Sequence, residues 1–192
     1  MSDDPRDESA DGFTLIELLV YMMLIGLVLA IVGAMMINTM RTSNTVTSVI
    51  EASNAGQLAA HSIEQGIRNS SDFNLTSPTG TDQLLIARTA LGGTTLTWRC
   101  AAWYYSPAGN GSIRYTVSDL AIPLVPTSAQ LATWTVLAKG IEPISGTTIF
   151  NTSVSSKQLS VAFHGLAGDP PPVAISSSAH SRAGAVGSPA CY

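Results

Sequence analysis

The chain has 192 residues, of which only 11% are charged, with 13 acidic and 9 basic side chains and a mean hydropathy of +0.27. It is too apolar for an ordinary soluble domain of this size, and two cysteines are too few for a disulfide-dense secreted scaffold. Its bases are scattered, which argues against a phosphate-tracking patch, so no nucleic-acid partner is expected.

The first twelve residues are polar and acidic. Asp3, Asp4, Asp7, Glu8 and Asp11 stand against a single Arg6, and without this stretch the chain carries eight acids and eight bases. From Phe13 to Ile37 the only charge is Glu17. A helix over this run is about 37 Å long and spans a bilayer. A cleavable secretory signal has the opposite design, with a positive start, a shorter apolar stretch and small residues at its end. An acid in hydrocarbon costs a few kcal/mol on insertion scales, so Glu17 is expected to be functional and to have a partner. The bland alternative is an interfacial residue snorkelling at the end of a plain membrane anchor.

The run Gly12-Phe13-Thr14-Leu15-Ile16-Glu17, continued by Leu18, Leu19 and Val20, resembles a type IV prepilin signal. The resemblance implies that prepilin peptidase cuts after Gly12, that Phe13 becomes the new N-terminus and is N-methylated by the same enzyme, and that Glu17 is the glutamate at the fifth mature position. A free amine on Phe13 would lie one helical turn from Glu17 on the same face. In a staggered assembly the amine of one subunit could pair with the Glu17 carboxylate of the next, each neutralising a charge the other cannot leave exposed in a low-dielectric bundle. Prepilin leaders usually carry Lys or Arg, so the acidic leader is a departure. Gly26 falls at the fourteenth mature position, where pilins commonly have glycine. Ala34 stands where major pilins often have proline, which points to a minor subunit. Close packing of small residues from Gly26 to Ala30 is the competing reading of that glycine.

The helix is expected to continue beyond the membrane, because Val46, Val49, Ala52, Ala55, Ala59, Ile63 and Ile67 recur at steps of three and four. Its end is placed near Arg68 to Ser71. Thr39, Thr42, Ser43, Asn44 and Thr45 are mediocre helix formers, so a break between Asn38 and Thr47 is the alternative.

From Asp72 the pattern changes to strands, predicted at Gln83–Thr89, Thr94–Tyr105, Ser112–Val117, Thr133–Ala138, Gln158–Phe163 and Val173–Ser178. Gly92-Gly93 and Pro107-Ala108-Gly109-Asn110-Gly111 are the turns between the first three. Trp98, Cys100 and Ala102 alternate with Arg99, Ala101 and Trp103, which predicts a half-buried strand. Leu137 to Glu142, followed by Ile149-Phe150, is similar to a stretch of J-type pseudopilins and related minor pilins. The expected fold class is α+β, type IV pilin-like: a long N-terminal helix, membrane-spanning in its first half, packed on an antiparallel β-sheet head. The expected divisions are a leader at 1–12, a transmembrane and assembly helix at 13–37, its amphipathic continuation at 38–71 and a head at 72–192.

An exported head meets oxidising conditions, which makes a disulfide between Cys100 and Cys191 the natural reading, with two free buried thiols as the alternative. The bond would close a loop of about 90 residues, worth typically about 2 to 4 kcal/mol. It would pin a tail, Ser176 to Pro189, that has little apolar surface. His61, His164 and His180 stand apart with no carboxylate or cysteine at ligand spacing, so no metal and no cofactor are expected. There is no phosphate-binding glycine loop and no nucleophile elbow. The sequons at Asn69, Asn74, Asn110 and Asn151 follow from a Ser, Thr and Asn-rich surface. The expectation is a non-enzymatic minor pilin or pseudopilin of the inner membrane with an exported head. Its partners would be other pilin subunits, met through the N-terminal helix, the peptidase and methyltransferase, and the membrane. A J-type pseudopilin of a type II secretion machine, or an unprocessed single-pass anchored binding domain, is the alternative.

Overall fold

A computed structural model describes residues 14–91, 97–153, 157–168, 170–181 and 190–192. The leader, Phe13, the Gly92-Gly93 turn with Thr94 to Leu96, and most of the tail from 182 to 189 lie outside these residues. The chain divides into two compact units, Met1–Asn44 and Thr45–Tyr192.

Helix α1, Leu15–Arg68, is one uninterrupted element, so the break considered near Asn38 is not there. Poor helix formers are tolerated because their hydroxyls find partners: Thr39 Oγ1 donates to the Met35 carbonyl at 2.9 Å. In the first unit every large apolar side chain from Leu15 to Met40 is exposed, Met23 to 75%. A Cβ added at Gly26 or Gly33 meets no atom within 4 Å among the described residues.

In the second unit the same helix has a packed face. Gly56, Ala59, Ala60, Ile63 and Ile67 are buried, while Val46 at the top of the expected stripe is exposed. Gly56 and Ala60 belong to this face although periodicity did not select them. Any side chain at Gly56 would overlap Ile175, and one at Gly66 would overlap the Trp103 ring. Small residues let α1 lie against the sheets at backbone distance.

A five-stranded antiparallel sheet runs in chain order: β1 (Ser70–Thr76), β2 (Gln83–Leu91), β3 (Thr97–Ser106), β4 (Ser112–Ser118) and β5 (Thr135–Lys139). A second sheet is built on β8 (Gln158–Gly165), whose ends pair with β6 (Ile141–Pro143) and β7 (Phe150–Thr152) and whose whole length pairs with β9 (Val173–His180). The β3–β4 hairpin pairs Ser106 with Ser112. At its turn Gly111 has φ 72°, and a Cβ there would overlap the Ile141 carbonyl oxygen, so only glycine fits.

Four short elements were not anticipated. β1 is a polar run, Ser-Ser-Asp-Phe-Asn-Leu-Thr, held by pairing with β2 from Ser70↔Thr89 to Thr76↔Leu84. Helix α2, Ser128–Thr133, occupies the start of the strand expected at Thr133, and β5 begins at Thr135 instead. Its cap is a Thr127/Gln130 box, with Gln130 N donating to Thr127 Oγ1 and Thr127 N to Gln130 Oε1. β6 and β7 have three residues each, too short for any periodicity.

The main core joins α1 to both sheets through Ile63, Ile67, Trp103, Tyr105, Phe150 and Phe163. Trp103 Nε1 donates to Ser62 Oγ at 3.1 Å, which satisfies the indole without opening the core. Gln83, buried in β2, ties the sheets together: its Oε1 accepts from the Ile149 and Phe150 backbone amides and its Nε2 donates to the Phe150 carbonyl. A second core covers the opposite face of β2 and β3, where Leu84, Ile86, Cys100, Ala102 and Tyr104 meet Ile122, Trp134 and Cys191. β3 is therefore buried on both faces from Cys100 to Tyr105, and the half-buried reading of that strand is corrected. The cover comes from the long β4–β5 connection and from the end of the chain, both remote in sequence from β3.

Candidate functional site

The chemistry singled out from sequence lies in two places, the start of α1 and the Cys100–Cys191 pair. Gly12 and Phe13, the residues of the expected cut and methylation, are outside the described residues. Their neighbours are not. The backbone amide of Glu17 donates to the Thr14 carbonyl at 3.1 Å and lies 3.4 Å from Thr14 Oγ1, so Thr14 acts as the N-cap. A Thr three residues before a Glu is the pattern of a capping box, in which the carboxylate would reach back to the cap. Here it goes the other way: Tyr21 donates its hydroxyl to Glu17 Oε1 at 3.3 Å. The cap is made by the hydroxyl and carbonyl of Thr14, and the carboxylate is directed along the helix. Negative charge is favoured at this helix end by the aligned peptide dipoles. Around it, Leu15, Ile16, Leu18, Leu19 and Val20 are all exposed. α1 is the helix long and apolar enough to cross a membrane among the described residues.

In the head, Cys100 and Cys191 are joined by a disulfide, with Cα atoms 5.3 Å apart and a sequence separation of 91. The strap around Cys191 is held by more than the bond. The Ile122 amide donates to the Cys191 carbonyl at 2.9 Å, and Tyr192 donates its hydroxyl to Asp72 Oδ2 at 2.8 Å. Arg88 also donates to Asp72 Oδ2, at 3.0 Å, and its guanidinium sits 5.6 Å from the centre of the Tyr192 ring. Hydrogen bonding to Tyr192, aided by the charge on Asp72, holds the Arg88 guanidinium above its ordinary range. Burial pushes the Tyr192 phenol up. The role of Tyr192 and of the Asp72–Arg88 pair went unread in the sequence, since three residues so far apart carry no local signal.

Beside the strap, Tyr104 lies under Trp134 in an edge-to-face contact, ring centres 6.2 Å apart. Its hydroxyl donates to Asp82 Oδ2 at 2.6 Å, an oxygen that also accepts from Thr79. Burial first, and then the hydrogen bond to Asp82, push its phenol up to about 12. His61, His164 and His180 are not brought together, and among the described residues no three His, Cys, Asp or Glu side chains are grouped to hold a metal. His61 lines an open cleft of about 310 Å³ with Ser62, Gln65, Trp103 and Tyr115.

The family described as the prokaryotic N-terminal methylation motif matches residues 9–33. No curated protein and no solved structure matches the chain. The match covers the expected cut, Glu17, Tyr21 and both glycines of the exposed half of α1, and with that apolar helix it supports membrane anchoring. A methylation motif at the head of an exposed apolar helix, with the later part of that helix packed on antiparallel sheets, makes this chain a type IV prepilin-like protein of α+β, pilin-like architecture.

Proposed function

We propose that the chain is a non-enzymatic minor pilin or pseudopilin that primes or caps a type IV filament. On this reading prepilin peptidase cuts after Gly12, Phe13 is N-methylated, and the subunit is stored in the inner membrane by residues 13–37 with its head exported. Residues 38–71 carry the helix from the membrane into the head, and residues 72–192 form the part displayed by the filament. The observation that carries it is the methylation motif over residues 9–33, which lies on a helix whose large apolar side chains are exposed from Leu15 to Met40 among the described residues. Assembly covers them, and it places the Glu17 carboxylate within reach of the amine of a neighbouring Phe13 in a medium where neither charge is stable alone. A J-type pseudopilin of a type II secretion machine would use the same chemistry. The sequence likeness of Leu137 to Glu142 to a stretch of J-type pseudopilins is what favours it.

The test is the intact mass of the protein extracted from membranes of a host that has the peptidase. The expected species begins at N-methylated Phe13. Gly12→Val should retain the leader, because a β-branched side chain replaces the minimal one at the cut. Recovery of the native chain with Met1 still attached would leave only a single-pass anchored domain.

A further inference from the structure

Glu17 has a resident partner in its own chain. Tyr21 is the only hydroxyl or amide side chain between Thr14 and Asn38, and it lies one turn beyond the only charge there. Its hydroxyl meets Glu17 Oε1 at 3.3 Å. In water such an exposed pair on a helix surface gains little, because water competes for both groups. In hydrocarbon that competitor is absent, and a phenol and a carboxylate each lose solvation unless they find one another. Spacing of four residues places them on one helix face, and Thr14 already caps the helix, so the carboxylate is not drawn back to the N-terminus.

We propose that Tyr21 is a positioning residue for Glu17. The phenol occupies Oε1 and fixes the carboxylate in one orientation along the helix, so that Oε2 is presented to the incoming amine of a neighbouring subunit. It does this in both states of the subunit. While the subunit is stored in the bilayer it partly replaces the lost water, and on assembly it spares the cost of ordering a free side chain. This rests on the amine–carboxylate pairing proposed above and adds to it a second residue, with a stated atom and a stated direction.

The experiment uses the full chain, expressed with its peptidase in competition with wild type. Incorporation into filaments is measured for Tyr21→Phe, Glu17→Ala and the double variant. In parallel, the side-chain carboxyl signal of ¹³C-labelled glutamate is recorded by NMR for the dispersed protein in phosphatidylethanolamine/phosphatidylglycerol vesicles, with the Glu17 signal assigned by Glu17→Gln. The expected result is that Tyr21→Phe moves the Glu17 carboxyl signal and lowers incorporation about two- to tenfold, the range of one hydrogen bond. The double variant should fall no further than Glu17→Ala. An unmoved signal in Tyr21→Phe overturns the proposal and leaves the pairing reading intact. A further fall in the double variant also overturns it, because Tyr21 would then act through ring packing. Equal incorporation of Glu17→Ala and wild type removes the pairing itself and the proposal with it, and that outcome is distinguishable because Tyr21 is present in both chains.

Discussion

The two halves of α1 obey the same helical geometry and meet opposite fates. From Leu15 to Met40 the helix is apolar all round apart from Glu17, Asn38 and Thr39, and its large apolar side chains are exposed among the described residues. From Gly56 to Ile67 one stripe, Gly56, Ala59, Ala60, Ile63 and Ile67, is buried, and it joins a core with side chains from both sheets. A helix that is hydrophobic all round needs an environment, and one with a stripe needs a partner. The contrast is also visible at the glycines: Gly56 and Gly66 are filled in by Ile175 and Trp103, while Gly26 and Gly33 face open space. The first half suits a membrane, the second its own head.

The largest effect that would break this comparison comes from trimming matched apolar side chains. Ile63→Ala, at a position with no exposure, should destabilise the head by about 2 to 5 kcal/mol, the range for such truncations in a packed core. Ile25→Ala, in the uncovered half, should change head stability by less than about 0.5 kcal/mol. Urea unfolding of the full chain in detergent, followed by the fluorescence of Trp98, Trp103 and Trp134, compares the two directly. Similar losses would mean that the first half of α1 is stabilised by the head after all.

The disulfide sharpens the comparison from within the head. Cys191→Ser should lower head stability by about 2 to 4 kcal/mol and release the strap around Tyr192 to proteolysis, with membrane insertion unchanged. Mass analysis after alkylation without reductant is the control. Two alkylated thiols in the wild-type chain would show that the bond is not formed in the cell, and the second core would then depend on Ile122 and Trp134 alone.

The smallest effect is a pH dependence confined to the head. The folded-state value of Tyr104 lies above the ordinary phenol value of 10.0, at about 12. The stability its neutral form contributes is therefore fully present below pH 10 and is lost as pH rises from about 10 to about 12, on the order of 2 kcal/mol over that window. Tyr105, Tyr115 and Tyr192 are also pushed up by burial, so wild type should lose stability on the alkaline side through several groups. Tyr104→Phe should be less stable at pH 8, for want of the bond to Asp82, and should fall less steeply between pH 10 and 12. Parallel curves for the two proteins would show that Tyr104 does not titrate with folding.

How much of this was legible beforehand follows the same division. The start of α1 could be read because its signal is local: six residues in a fixed order and a long run with one charge. Strands β2, β3, β4, β8 and β9 were legible as β-branched and aromatic runs between turns. β1 was not, since Ser70, Ser71, Asp72 and Asn74 are poor strand formers that pair only because β2 lies beside them. The second core was hidden for a similar reason. Nothing near Cys100 or Tyr104 in sequence announces that Ile122 and Trp134 will cover them. α2 did have a local sign, the Thr127-to-Gln130 box, which a reading tuned to apolar periodicity passes over. Gly56 and Gly66 were missed on the packed face because periodicity counts apolar side chains, and these positions matter for having none.

Gln83 and the Cys100–Cys191 bond together bear on how the head would respond to pulling. A tether drawn from the α1 end reaches the disulfide after β1 and β2, and the 91 positions that follow are enclosed in a covalent ring. Unravelled, that ring would otherwise add about 300 Å of contour at the extension of a stretched chain. With the bond intact, a load applied between α1 and Tyr192 can lengthen the head only through the residues before Cys100. The first strand such a load peels beyond β1 is β2, whose leading residue, Gln83, is fastened to the second sheet by three hydrogen bonds. The head is thus a short-travel mechanical element: its compliance lies in the segment ahead of the ring, and the greater part of its hidden length is locked away.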